Sequence, residues 1–279
     1  MITINTKLGL KSSIAVGTLL IITAIITYML FFQREVDSVS QNGPLTAEII
    51  SINQRLPLMD DVQLAAGIAY DTNNDRFFIS TDQPHGLLTS NEAHFFVLNQ
   101  HLDKIEFAMS IQADGDLEGV TVLDAHTAIV ISELGTLIYL VDEGDNDFSV
   151  NKSVLIFEDG LSHKLGSLAY DYDRQHIYTA EKEDEKVLYK LDQDGNLLES
   201  ITLQLSDQVF PNNDASLDTD YTIAGMTYSA GFLYLFSEAY STIFKFNVET
   251  QRIEDVFGVD QLPEVAGITL KGNDFYLIG

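Results

Sequence analysis

Three observations predict an all-β chain folded as a five-bladed β-propeller behind one N-terminal transmembrane helix. An apolar run of about 20 residues stands near the start. One apolar pattern then recurs five times, each copy opened by a glycine. The copies are rich in Ile, Val, Tyr and Phe and are broken by turn residues, as short strands are. The 279 residues carry a formal charge of −27 yet are 46% hydrophobic, so they hold enough apolar material for a core and are no acidic disordered tail. Such a surface repels phosphate backbones, which argues against a nucleic-acid partner, and it suits cations. The absence of cysteine excludes disulfides, a thiol nucleophile and thiolate metal sites.

The first element is residues 12–32, from Ser12 to Phe32, with Leu19-Leu20-Ile21-Ile22 and Met29-Leu30-Phe31-Phe32 as its densest stretches. As a helix, this run matches one bilayer core. Lys7 and Lys11 precede it, whereas Arg34 after it is answered by Glu35 and Asp37. That bias places residues 1–11 in the cytoplasm and the rest in the periplasm, on a single-pass inner (plasma) membrane protein. A cleaved signal peptide is the competing reading. Against it, the run ends without a small-x-small cleavage site. Residues 33–47, with Asn42-Gly43-Pro44, read as a polar linker.

Residues 48–279 hold the repeats. Each runs small-Gly-apolar, a turn, an apolar strand ending in Ser, Thr or Ala plus an acid, then an aromatic-rich strand. The opening glycines are Gly67, Gly119, Gly166, Gly225 and Gly267. Spacing that varies while internal order stays constant suggests four-stranded sheet modules joined by variable loops. A glycine at the same place in each copy suits the innermost strand, where blades crowd the axis. The fifth copy stops after its second strand, and Glu48-Ile49-Ile50-Ser51-Ile52 is placed to complete that blade and remove an open edge. Six blades remain the alternative if the long interval before Gly225 hides another.

Up-and-down blades put the entry to strand one and the exit of strand two on one face. Asp82, Glu133, Glu181 and Glu238 end second strands in four copies, and Glu118 precedes a glycine near the axis. Converging carboxylates repel unless a hard cation relieves them, so these five are the candidate metal ligands, with calcium as the ion. The plainer alternative is five solvated acids among 42. His163 is placed to reach the same mouth, and the acidic loops at 142–147 and 212–220 lack EF-hand spacing. No nucleophile elbow, phosphate loop or dinucleotide motif is present, so no catalytic residue is assigned.

At these repeats the sequence resembles the SdiA-regulated family, the YjiK-like bacterial propellers that include the calcium-regulated CarP proteins. The likeness is carried by Gly67-Ile68-Ala69-Tyr70-Asp71, Thr81-Asp82-Gln83-Pro84, Leu117-Glu118-Gly119-Val120, Ala180-Glu181-Lys182 and Ser237-Glu238. It spans about residues 48 to 279. The resemblance implies a five-bladed, NHL-like propeller with a calcium site in the cell envelope. It implies no established catalysis; the predicted orientation, the acid series and the lack of catalytic motifs point to a binding module for a ligand or envelope protein at the acidic mouth. The alternative the resemblance supplies is a calcium-dependent, phytase-like or lactonase-like hydrolase. Only Glu118-Gly119 keeps the family's Glu-Gly opening.

Overall fold

The structure, a computed structural model, describes residues 48–50, 62, 64–82, 93–113, 115–144, 147–157, 163–182, 187–203, 222–259 and 265–279. It is an all-β propeller. The first sheet holds β2 (Ala65–Asp71), β3 (Arg76–Thr81), β4 (Ala93–Asn99) and β5 (Ile105–Ile111) in sequence order. The second holds β6 (Leu117–Asp124), β7 (Thr127–Ser132), β8 (Thr136–Asp142) and β9 (Phe148–Leu155). The third holds β10 (Leu165–Asp171), β11 (His176–Glu181), β12 (Val187–Leu191) and β13 (Leu197–Thr202). The fourth holds β14 (Gly225–Ser229), β15 (Phe232–Ser237), β16 (Thr242–Asn247) and β17 (Arg252–Val259).

The expectation of five full blades is corrected here. Among the described residues there are four full blades, three of four strands and the fourth of five, and the fifth repeat is a two-stranded sheet of β18 (Gly267–Lys271) and β19 (Asp274–Ile278). β1 (Glu48–Ile50) does not complete that sheet. It pairs in parallel with β17, Ile49 opposite Gly258, on the outer edge of the fourth blade. The two-stranded sheet still fills a place in the ring, because Ile268 packs with Phe236 and Ile243 on one side while Ile278 packs with Ile68 and Phe77 on the other. The proposed membrane run 12–32 and linker 33–47 lie outside the described residues. No helix among the described residues is long and apolar enough to cross a membrane.

Inner strands are covered on both faces by neighbouring blades, so β3 is buried throughout while the outer β5 alternates partly buried and exposed positions. One apolar cluster joins each pair of neighbours. Phe78, Phe95, Val130 and Phe148 join the first two blades; Ile131, Tyr139, Leu168 and Ile177 the next two; Tyr178, Leu188, Leu235 and Phe244 the third and fourth. Buried Arg76 reinforces the first joint. Its guanidinium binds Asp71 at 3.0 Å and Asp142 at 2.9 Å, and it lies 5.1 Å from the rings of both Phe78 and Phe148.

Candidate functional site

The inner strands approach so closely that side chains are excluded at the waist of the ring. A Cβ on Gly67 would lie 2.4 Å from the Glu118 carbonyl oxygen, and one on Gly119 2.4 Å from the Leu168 nitrogen. Gly225 and Gly267 are similarly crowded, by Ile268 and by Ile68 with Gly67. The third repeat breaks the expected pattern. β10 has a register shift between Leu165 and Ser167, as β2 has between Ala65 and Gly67, so Ser167 is the counterpart of Gly67. The extra residue of each bulge is therefore Ala66 in β2 and Gly166 in β10, with Glu118 at the corresponding place in β6. Bulges re-aim such residues. Ala224 and Ala266 precede the glycines of the last two repeats, so one acid stands among four small residues around this end of the ring.

Lys182 fills the room that Gly166 leaves. A Cβ there would lie 3.3 Å from the lysine Cγ, and the lysine Nζ reaches Glu118 Oε1 at 2.5 Å. Glu118 is 5% exposed and Lys182 40%, so the carboxylate is sunk while the ammonium is half in water. Burial raises the Glu118 pKa to about 7 in spite of the lysine, with Asp82 and Glu133 adding to the rise. Burial pushes Lys182 down, but the charges of Glu118, Asp82 and Glu133 outweigh it and hold the ammonium above its usual range. Asp82, Glu118 and Glu133, from two blades, thus act on one ammonium from a third.

The other two candidate ligands do not join them. Glu181 turns outward between the second and third blades, accepting hydrogen bonds from the Lys164 amide at 3.1 Å and the Tyr189 hydroxyl at 3.0 Å. His163 lies in the same cleft, 3.6 Å from Glu181 and stacked on Phe157, away from the axis. Glu238 is exposed in the turn after β15. No group of three or more His, Asp or Glu side chains among the described residues could hold a metal ion. At the rim, the position facing Glu118 is taken by Lys182.

The opposite end of the axis carries a feature that the repeat pattern did not single out. A cavity of roughly 420 Å³ opens where the inner strands end. Ile68, Val120 and Met226 lie along its strand walls, while Tyr70, Tyr170, Tyr172 and Tyr228 gather toward its mouth. The turns set these rings. The Asp71 carboxylate accepts from the Asn73 and Asn74 amides, and Asp171 accepts from those of Asp173 and Arg174, so both turns are locked by the acid that ends strand one. Tyr228 donates to Asp173 at 2.5 Å and Tyr70 to Asp75. Burial, then the Asp75 contact, raises the Tyr70 pKa to about 12. Tyr172 is 50% exposed, but its pKa also rises to about 12 through burial of the hydroxyl, as expected of a ring open to a cavity rather than to bulk water. The available signal was a tyrosine near the end of strand one in three of the five repeats, Tyr70, Tyr170 and Tyr228.

Fold and sheet order define the class as β-propeller. The chain is similar to the glutaminyl cyclase of Myxococcus xanthus at 14% identity and a TM-score of 0.59, covering 84% of this chain and 93% of that one. It is also similar to the β-propeller domain of Myceliophteria thermophila Swd1, at 9% identity and TM-score 0.46 over 77% of this chain and 64% of that one. A nidogen/laminin complex gives 14% identity and TM-score 0.46, over 77% and 92%. No family model and no curated protein sequence matches the chain.

Proposed function

We propose that this chain is an envelope binding module of the SdiA-regulated kind, anchored in the inner membrane by residues 12–32, whose acidic rim takes a cationic group of a ligand or protein partner. The observation that carries the reading is the pair of Glu118 with the Lys182 ammonium, 2.5 Å apart at the rim, with the charges of Asp82 and Glu133 acting on the same lysine. The rim already faces positive charge, Lys182 beside Glu118 and Lys164 3.9 Å from Glu133, and the Lys182 side chain is 40% exposed. Calcium belongs to this proposal as a competitor for the lysine's place, since carboxylates are its preferred ligands.

Calorimetry with calcium on the full chain tests this. Lys182→Met removes the cation that faces Glu118, and we expect calcium to bind this variant at least about tenfold tighter than the parent, a difference of about 1.4 kcal/mol. Glu118→Gln in the same chain is expected to remove that gain. Absence of calcium binding in both Lys182→Met and parent chains would reject the calcium part. A Glu118 that titrates near neutrality favours one second reading, the calcium-dependent phytase-like or lactonase-like hydrolase, because such a group exchanges protons at working pH. Turnover of phosphomonoesters or lactones that survives Glu118→Gln would exclude that mechanism.

A further inference from the structure

We propose that the axial cavity opposite the acidic rim is a second binding site, selective for an alkylammonium group held among Tyr170, Tyr172 and Tyr228 beside the Asp173 carboxylate. The site is separate from the rim: Asp82, Glu118, Glu133 and Lys182 are all absent from its walls, and the glycine waist lies between.

Ring geometry favours a cation. Tyr170 and Tyr172 meet at 5.1 Å and 82°, and Tyr172 and Tyr228 at 6.4 Å and 54°. Rings inclined in this way offer faces in different directions around one space rather than a single stack. The negative faces of such rings attract ammonium ions, most strongly when the ion is desolvated. The same mouth already shows this preference once, because Lys271 holds its Nζ 4.7 Å over the Tyr70 ring while paired with Asp75 at 3.2 Å. Among the residues lining the cavity, Asp173 is the only acid and no Lys or Arg is present. Tyr228 donates to it and so fixes the carboxylate at the mouth.

The walls define the rest of the ligand. Ile68, Val120 and Met226 are each exposed over less than a tenth of their surface and offer apolar contact deeper in. The volume of roughly 420 Å³ suits a small molecule or one long side chain. The chemistry is therefore a methylated or primary ammonium on a short apolar stem, free in solution or borne by a lysine side chain. A net charge of −27 enriches such cations around the whole molecule.

The chain has 12 tyrosines and no tryptophan, and four of the tyrosines line this cavity, so a ligand-dependent change in tyrosine fluorescence is followed without an indole background. The full chain is titrated with choline and, at matched ionic strength, with its neutral carbon isostere 3,3-dimethylbutan-1-ol. Choline is expected to saturate the signal at a concentration at least about tenfold below the isostere. Tyr172→Leu is expected to weaken choline by about tenfold, whereas Tyr172→Phe keeps the ring and stays within about twofold. A peptide bearing trimethyllysine gives the second arm: tighter binding than choline assigns the site to a protein-borne side chain, and weaker binding to a free ligand. Equal affinity for choline and the isostere, or no saturation by either, would overturn the proposal. Lys182→Met and Glu118→Gln are expected to leave choline binding unchanged, which separates this site from the rim reading.

Discussion

The two ends of the axis solve opposite problems with the same strand scaffold. At the rim, one acid faces four small residues, and the space is filled by a flexible, partly hydrated lysine. At the other mouth, rings are set by short turns whose amides are tied to Asp71 and Asp171. The rim is therefore adjustable charge, whereas the tyrosine mouth is fixed shape. What keeps them apart is the waist, where backbone touches backbone because side chains are missing. A ring so divided can present two chemistries without letting either disturb the other.

The largest effect is expected from breaking that division. Gly119→Ala brings a Cβ to 2.4 Å from the Leu168 nitrogen and 2.7 Å from the Ser167 carbonyl carbon, so backbone must move in two blades. We expect a loss of about 4 kcal/mol or more, read as a shifted urea midpoint by circular dichroism. Gly231→Ala is the control. Its φ of +87° strains any other residue, but nothing lies within 4 Å of the added carbon, so about 1 kcal/mol is expected. Equal losses in the two variants would mean that the waist is no tighter than a surface turn.

That waist was legible in the sequence at four of its places, because Gly67, Gly119, Gly225 and Gly267 each head a copy of the repeated pattern and mark a strand with no room for side chains, whereas in the third repeat Ser167, not Gly166, stands there. So was the family of sheets, since period-two strands between turn residues leave little choice. The blade count was not. Strand β1 is three residues long, and nothing in Glu48-Ile49-Ile50 says which sheet edge it joins. The site was half legible. Glu118 was singled out for its place before a glycine, but its partner Lys182 is 64 residues away and meets it only because β10 bulges at Gly166. A one-residue register shift leaves no mark on composition, and here it decides which residue faces the acid. Glu181 and Glu238 occupy matching places in the pattern but diverge, because Tyr189 and Lys164 capture the first while the second stands exposed in a turn.

The next comparison sets the two principal ion pairs against each other. Arg76, 4% exposed, bridges Asp71 and Asp142 between two aromatic rings at the tyrosine end. Replacing it with Met leaves two carboxylates facing each other in the interior, and about 3 to 5 kcal/mol is expected to be lost. Lys182→Met also strands a sunken carboxylate, Glu118, but that group titrates near 7 and can take up a proton instead of remaining charged. Only about 1 kcal/mol is expected there at neutral pH. Thermal melts of the two variants side by side check the order. A costlier Lys182→Met would mean that the rim is as rigid a fastening as the arginine joint.

The finest test is the pH dependence of the rim itself. An ordinary Glu titrates near 4.5 and Glu118 in the fold near 7, so between those values the folded chain binds the proton more tightly than the unfolded one. Stability from this group is then present below about pH 4.5, declines as pH rises through the window, and levels off above about 7, by at most about 3 kcal/mol. Lys182 stays charged throughout, since its own pKa is raised, and adds no slope there. Glu118→Gln mimics the protonated form, so its melting temperature relative to the parent is expected to rise across the same interval and be level at both ends. Tyr70 and Tyr172 at the other mouth are pushed up to about 12, so those two hydroxyls stay protonated across this interval. A melting profile that Glu118→Gln leaves unaltered would mean that water reaches the carboxylate freely, and that the rim is an open surface instead of a sunken charge.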